Sequence, residues 1–382
     1  MSASVPLRSS EKFENVQILR GIAASIVVLH HYFWLVDKTQ PGSLLSNFYR
    51  FKQVGAGGVD IFFCISGFVI TYAARNLPKG AVPAARFAFR RFWRVVPLYW
   101  IFTSLAALMW LSGRFMTDFI VTPALMAHSY FLIPYAKYRS GIGYVNTHPF
   151  LDPGWTLTFE MYFYIVCSLT ILMAGGRRVF PLAMISIGTL ALAVLLFQDH
   201  ENPITSVLSS GLLLEFMAGV LIARFLAGPN RPRTAFYHYL GVALIIVGGA
   251  AFLGSTFTAN PIRNRIICWG IPGVLIVAGA VLTETRSSGA IRKFFIFLGT
   301  ASYTIYLAHP LIEFVVANIV KRPSFPRLNP DFLLIALTVT TILLSSLLYF
   351  VVERPLMKLP VGNPPSRSKK AVHTAQAAVA DT

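Results

Sequence analysis

Charge is scarce in this sequence. Of its 382 residues only 13% are Asp, Glu, Lys or Arg, against roughly 25% in soluble domains. Acidic residues are the scarcer sign, with 15 Asp and Glu facing 33 Lys and Arg. Cysteine is nearly absent. Cys64, Cys167 and Cys268 each fall inside an apolar segment and share no metal-ligand spacing, so they read as small buried hydrophobes and no metal is expected. The first apolar stretch is long and has no small-residue cleavage site after it, so no cleavable signal peptide is expected. No Gly-x-Ser-x-Gly elbow surrounds Ser66, so Ser66-Gly67 reads as close helix packing rather than a nucleophile. No internal repeat is visible.

Hydrophobic residues are plentiful, at 55%, and the mean hydropathy is +0.63. Aromatics make up 14%, as expected where Trp and Tyr mark membrane interfaces. The formal net charge of +18 does not point to nucleic acid, because the Lys and Arg lie in short clusters between apolar segments. That distribution fits a topology signal and contact with anionic lipids. The composition is that of a membrane protein.

An α-helical span needs about 20 mostly apolar residues. Ten segments qualify: 18–37, 57–76, 93–112, 154–175, 179–198, 207–227, 236–256, 264–284, 294–318 and 332–353. A further apolar stretch at 117–134 holds Asp118, Pro123, His128 and Pro134 and reads as interfacial or re-entrant, with an eleventh span as the alternative. With ten spans, 22 of the 33 Lys and Arg fall on the side of the two termini. The positive-inside rule then puts both termini in the cytoplasm. The expected fold is therefore an all-α polytopic bundle of about ten transmembrane helices. Residues 1–14 form a cytoplasmic tail, 15–358 the membrane domain, and 359–382 a polar cytoplasmic tail expected to be disordered.

Ionisable groups within a span cost several kcal/mol and tend to face the bundle interior. In the first span Arg20 and His31 are eleven residues apart, which places them on one helix face about 16 Å apart along the axis. An imidazole there can serve as general base for a hydroxyl, or His30 and His31 can simply bond to neighbouring helices. Asp60 opens the second span and either orients a histidine or caps the helix. Arg90, Arg91 and Arg94 lie within two helical turns at the membrane surface. They read as a phosphate clamp or as plain topology. Glu160 lies two turns inside the fourth span, behind Trp155, and either shuttles protons or forms a structural ion pair. Ser302, Tyr306 and His309 share one face of the ninth span and line a polar path. Glu215 adds a buried carboxyl in the sixth span. Glu353 and Arg354 read as a surface ion pair.

Six stretches together resemble the membrane-bound acyltransferase 3 family of O-antigen, exopolysaccharide and nodulation-factor acyltransferases. They are LRGIAASIVVLHH (19–31), GGVDIFFCISGFVI (57–70), FRRFWRVVPLYW (89–100), DPGWTLTFEMYFY (152–164), LGTASYTIYLAHP (298–310) and VVERP (351–355). They occur in the family's order and cover almost the whole chain. The resemblance implies a ten-helix bundle in the bacterial inner membrane with acetyl-CoA, or a related acyl-CoA, as cytoplasmic donor. It implies that Arg20 and His31 are essential, and it associates Arg90, Arg91 and Arg94 with the CoA side. Asp60 and Glu160 match the family's acidic positions. Some family members carry a fused hydrolase-like domain after the last helix. Here the sequence runs only a short way past the tenth span, so hand-off directly to the acceptor or to a separate protein is expected.

The expected activity is O-acyl transfer from acyl-CoA to a hydroxyl of a cell-surface or exported carbohydrate, lipid-linked or polymeric. His31, with Asp60 or Glu160, would do the chemistry. Arg20, Arg90, Arg91 and Arg94 would bind the donor, and His30, Trp155, Ser302, Tyr306 and His309 would line the substrate path. Two rivals stand beside it. One is a small-solute or proton-coupled transporter using the same polar path. The other is a non-catalytic partner in a polysaccharide assembly machinery.

Overall fold

The computed structural model describes residues 13–47, 51–115, 121–139, 143–147, 149–180, 184, 211–227, 234–258, 264–284 and 289–359. The described residues are almost entirely helical. Long helices α1 (Glu14–Thr39), α2 (Gly58–Ala74) and α3 (Ala81–Leu111) come first. A short α4 (Pro123–Phe131) precedes a two-stranded antiparallel hairpin, β1 (Tyr135–Arg139) and β2 (Gly143–Thr147), with Tyr135 opposite Thr147. Then follow α5 (Gly154–Ala174), α6 (Leu212–Leu226), α7 (Ala235–Gly254) and α8 (Ile271–Leu282), the last led in by a π-turn at Ile266–Gly270. The chain closes with α9 (Ala290–Val320), α10 (Pro330–Leu348), a π-turn at Tyr349–Glu353 and α11 (Arg354–Lys358).

Among the described residues, seven helices are long and apolar enough to cross a membrane. Six of the expected spans, 18–37, 57–76, 93–112, 154–175, 236–256 and 294–318, fall on α1, α2, α3, α5, α7 and α9. A seventh, 332–353, falls on α10 with its π-turn. The spans at 207–227 and 264–284 correspond to the shorter α6 and α8. Most of the span at 179–198 lies outside the described residues, as do most of both tails. Within the stretch at 117–134, the described residues 121–134 hold the nine-residue α4, about 14 Å long and too short to cross. Its end is marked by Leu132 in the left-handed region at φ 55°. The hairpin was not expected in an all-α chain.

Glycines set the closest helix pairs. A Cβ on Gly21 would lie 2.7 Å from the Gly299 nitrogen, and one on Gly299 would lie 1.8 Å from the Gln17 carbonyl oxygen. The backbones of α1 and α9 therefore touch at this level. Arg292 reaches Glu14 at 3.1 Å, and His31 meets His309 at the other end. The offset stays near 278 residues throughout, so α1 and α9 run parallel. Gly67 and Gly219 bring α2 and α6 together antiparallel in the same way. The start of α1 is capped from outside, because the Glu284 carboxylate accepts from the backbone N–H groups of Glu14 and Asn15, both at 3.0 Å. Those are donors that a helix cannot satisfy internally, and the carboxylate also suits the positive end of the dipole.

Burial separates centre from rim. The apolar window of Val54–Ala74 is 78% buried, whereas that of Pro330–Lys358 is 17% buried. The α2 helix is thus the hub, and α10 with its π-turn presents exposed Leu343, Leu347 and Val351 at the periphery, the side expected to meet lipid.

Candidate active site

Arg20, His31 and the Ser302–His309 face of α9 come together because α1 and α9 share a register. Arg20 lies at the level of the Gly21–Gly299 contact. From there Ser302, Tyr306 and His309 climb the facing side of α9, about 10 Å in all, to the level of His31.

His31 Nδ1 stands 3.2 Å from Glu313 Oε2, and the two side chains remain partly accessible at 32% and 24%. This carboxylate fixes the tautomer: Nδ1 carries the proton toward Glu313, and Nε2 is left as a base. The His309 ring packs against His31 with centroids 4.7 Å apart. His30 lies about 100° around the helix and turns elsewhere. Its Nδ1 sits 2.5 Å from the Lys52 carbonyl oxygen, and Gly55 lets that loop approach.

The expected acidic partners of His31 are engaged elsewhere. Asp60 is fully buried and bonded twice by Arg265, from Nε at 2.9 Å and Nη2 at 2.7 Å. Glu160 accepts a hydrogen bond from the Tyr164 hydroxyl. Glu215 is buried beside the Asp60–Arg265 pair, where a Cβ on Gly270 would approach its Oε1 to 2.8 Å.

Below the histidines a cavity of about 120 Å³ opens between α1, α2, α3, α5, α6 and α9. Arg20, Arg91, Arg94 and Glu160 give it a charged end, and Ser302, Thr156 and Tyr306 give it hydroxyls. Phe62, Phe63, Leu157 and Phe216 give it apolar walls. Arg90 is exposed and does not line it. Trp155 packs edge-on to Phe159 at 6.2 Å and also lies outside the lining, while its neighbour Thr156 lines the cavity. Arg94 forms an ion pair at 2.6 Å with Glu353, which is fully buried and also accepts from the Thr304 hydroxyl. The expected Glu353–Arg354 surface pair is therefore corrected. The π-turn at Tyr349–Glu353 carries Glu353 into the core, and Arg354 stays exposed over Phe350. Arg20 makes no hydrogen bond or ion pair to any described residue. Among the described residues Arg91 reaches the rings of Phe87 and Tyr164, at 5.4 and 5.9 Å. Two guanidinium groups that face the cavity with no ion pair among the described residues, beside Glu160, leave it a net positive end prepared to receive an anion.

Tyr306 closes the upper end. Its hydroxyl is 3.1 Å from Thr156 Oγ1, and its ring centroid is 5.9 Å from that of His309. The lining stops at Tyr306, with the His309–His31 pair beyond it.

Glu313, Arg265, Thr156 and Thr304 escaped the sequence reading. Glu313 carried a usable signal, since it is an intramembrane carboxyl one turn after His309.

A multi-pass helical bundle with a partly accessible His–carboxylate pair above a guanidinium-lined cavity has the parts of a membrane-embedded group-transfer enzyme. The chain belongs to the acyltransferase 3 family, an acyltransferase domain that matches residues 13–350. It is 30% identical over 314 residues to the exopolysaccharide production protein ExoZ of Rhizobium meliloti (strain 1021), covering 80% of this chain and 90% of that one. It is 23% identical to the acyltransferase MdmB of Streptomyces mycarofaciens, over 80% of this chain and 82% of the relative. To nodulation protein 10 of Rhizobium leguminosarum bv. viciae it is 27% identical, over 92% and 95%. No solved structure matches the chain.

Proposed function

We propose that this acyltransferase moves an acetyl group, or a related acyl group, from cytoplasmic acyl-CoA to a carbohydrate hydroxyl, acting in the bacterial inner membrane as a ten-span bundle with both termini inside. The observation that carries the reading is the alignment of Arg20, Ser302, Tyr306 and His31 along the α1–α9 seam. Arg20 and Arg91, without an ion pair among the described residues, bind the donor's phosphates with Arg94 at the cavity's charged end. The thioester arm then lies along the Ser302–Tyr306 face and brings the acyl carbon up to the histidines. His31, held by Glu313, takes the proton from the acceptor hydroxyl through Nε2 as the oxygen attacks. The same proton passes to the departing thiolate, so no net proton is consumed. The acceptor reaches His31 from the accessible side it shares with Glu313. A carbohydrate of an exopolysaccharide or its lipid-linked precursor is the acceptor class, in keeping with the name of ExoZ. Asp60, paired with Arg265, holds α2 against the start of α8 rather than touching substrate. Glu160 balances the arginines in the cavity.

Glycan mass analysis of cells carrying wild-type, His31→Ala or His30→Ala protein tests this. The wild type and His30→Ala should add one acyl mass that His31→Ala does not. A normally acylated glycan from His31→Ala would remove the imidazole from the mechanism. A transporter would instead move solute without binding acyl-CoA.

A further inference from the structure

The reading above leaves the oxyanion of the transfer without a partner. When a hydroxyl attacks a thioester, negative charge builds on the carbonyl oxygen, and a buried site must offer it a donor. We infer that Tyr306 is that donor and that it leaves Thr156 to act. The inference rests on the acyltransferase reading.

Three observations meet at this residue. First, Tyr306 is the point where the cavity ends and the histidines begin, so a thioester arriving from the arginines reaches its hydroxyl before His31. Second, the direction of its resting hydrogen bond is fixed. The Thr156 hydroxyl already donates to the Pro153 carbonyl at 2.9 Å. It can therefore only accept from Tyr306 at 3.1 Å, and the phenolic proton belongs to Tyr306. Third, one turn below on the same face, Ser302 is fully buried, lines the cavity and has no hydrogen-bond partner among the described residues. An unsatisfied hydroxyl in an apolar wall is costly and marks where a polar arm is to lie. Ser302 thus aligns the arm, and Tyr306 meets the thioester carbonyl one turn higher.

His31 Nε2 takes the acceptor's proton as its oxygen bonds to the carbonyl carbon, and Tyr306 turns its O–H from Thr156 to the oxyanion. The carbon–sulfur bond then breaks, the imidazolium proton goes to the thiolate, and Tyr306 returns to Thr156. The products are an O-acyl sugar and free CoA. Pro310, which cannot donate to the Tyr306 carbonyl as the next helical turn otherwise would, loosens α9 at the position that must move.

The test uses full-length protein in membranes of the producing cells, which hold the native acceptor, supplied with radiolabelled acetyl-CoA. Acetyl-CoA affinity is measured on the same variants after purification. Tyr306→Phe should slow transfer about 10²-fold or more with affinity unchanged, the loss typical of one oxyanion donor. Thr156→Val, which removes the resting acceptor and one cavity hydroxyl, should slow transfer far less than Tyr306→Phe does. Tyr306→Phe transferring at near wild-type rate overturns the inference. So does an equal loss in both variants, which would mean that the Tyr306–Thr156 bond is merely structural. His31→Ala in the same assay separates the two levels. If it is inactive while Tyr306→Phe is active, only this inference falls. If it is active, the acyltransferase mechanism falls and takes this inference with it.

Discussion

Two imidazoles adjacent in sequence face different neighbours and should fail differently when replaced. His30 is tied to the Lys52 carbonyl, and His31 to the Glu313 carboxylate. Glu313→Gln keeps the shape but lets the ring adopt the wrong tautomer, so transfer should drop about 10²-fold or more while acetyl-CoA affinity is kept. Steady-state kinetics on purified protein would show this as a fall in kcat with KM for the donor little changed. Asp60→Asn should do the reverse. It strands Arg265 beside the buried Glu215 and should cost about 3 kcal/mol of stability, read as a lower Tm in detergent, with catalysis per folded molecule preserved. At this scale the sequence revealed the Arg20–His31 face, because helical period alone dictates it. It could not tell Arg91 from Arg90, since which of two adjacent residues meets the cavity depends on how α3 is rotated against its neighbours. Nor could it pair Glu353 with Arg94, 259 residues away; the neighbouring Arg354 looked the natural partner, yet adjacent helix residues point about 100° apart.

Between elements, the α1–α9 seam is the part on which the site depends. Gly299→Ala would drive a Cβ against the Gln17 carbonyl, which is backbone and cannot swing aside. The helices must separate there, at a cost of about 1–3 kcal/mol, and Arg20 and His31 should lose their alignment with α9. Both Tm and acetyl-CoA affinity should fall. Gly249→Ala is the matched control, because nothing lies within 4 Å of its new Cβ and helix propensity favours it by up to about 1 kcal/mol. Seven of the ten expected spans were legible from apolar length. Their register was not, so although Glu313 was visible as an intramembrane carboxyl, its pairing with His31 appears only once α9 is laid parallel to α1.

For the whole molecule, the arginine end and the hairpin end should face opposite compartments. All three native cysteines are buried, so background labelling by an impermeant maleimide should be low. Lys79→Cys, at the arginine end, should react only in opened cells. Arg322→Cys, at the other end, should react in intact ones. Labelling of Lys79→Cys in intact cells would reverse the orientation and place the donor cavity away from cytoplasmic CoA. The charge count had already favoured this orientation, because short-loop Lys and Arg report topology directly.

The most direct test of the account is titration of the purified, full-length protein with acetyl-CoA, wild type beside Arg20→Ala and His31→Ala. Loss of one guanidinium bound to phosphate should weaken binding about 10- to 100-fold, the worth of a charge-assisted hydrogen bond, while His31→Ala binds as wild type. Absence of binding, or binding indifferent to Arg20, would contradict the claim that this cavity delivers the donor to the histidine.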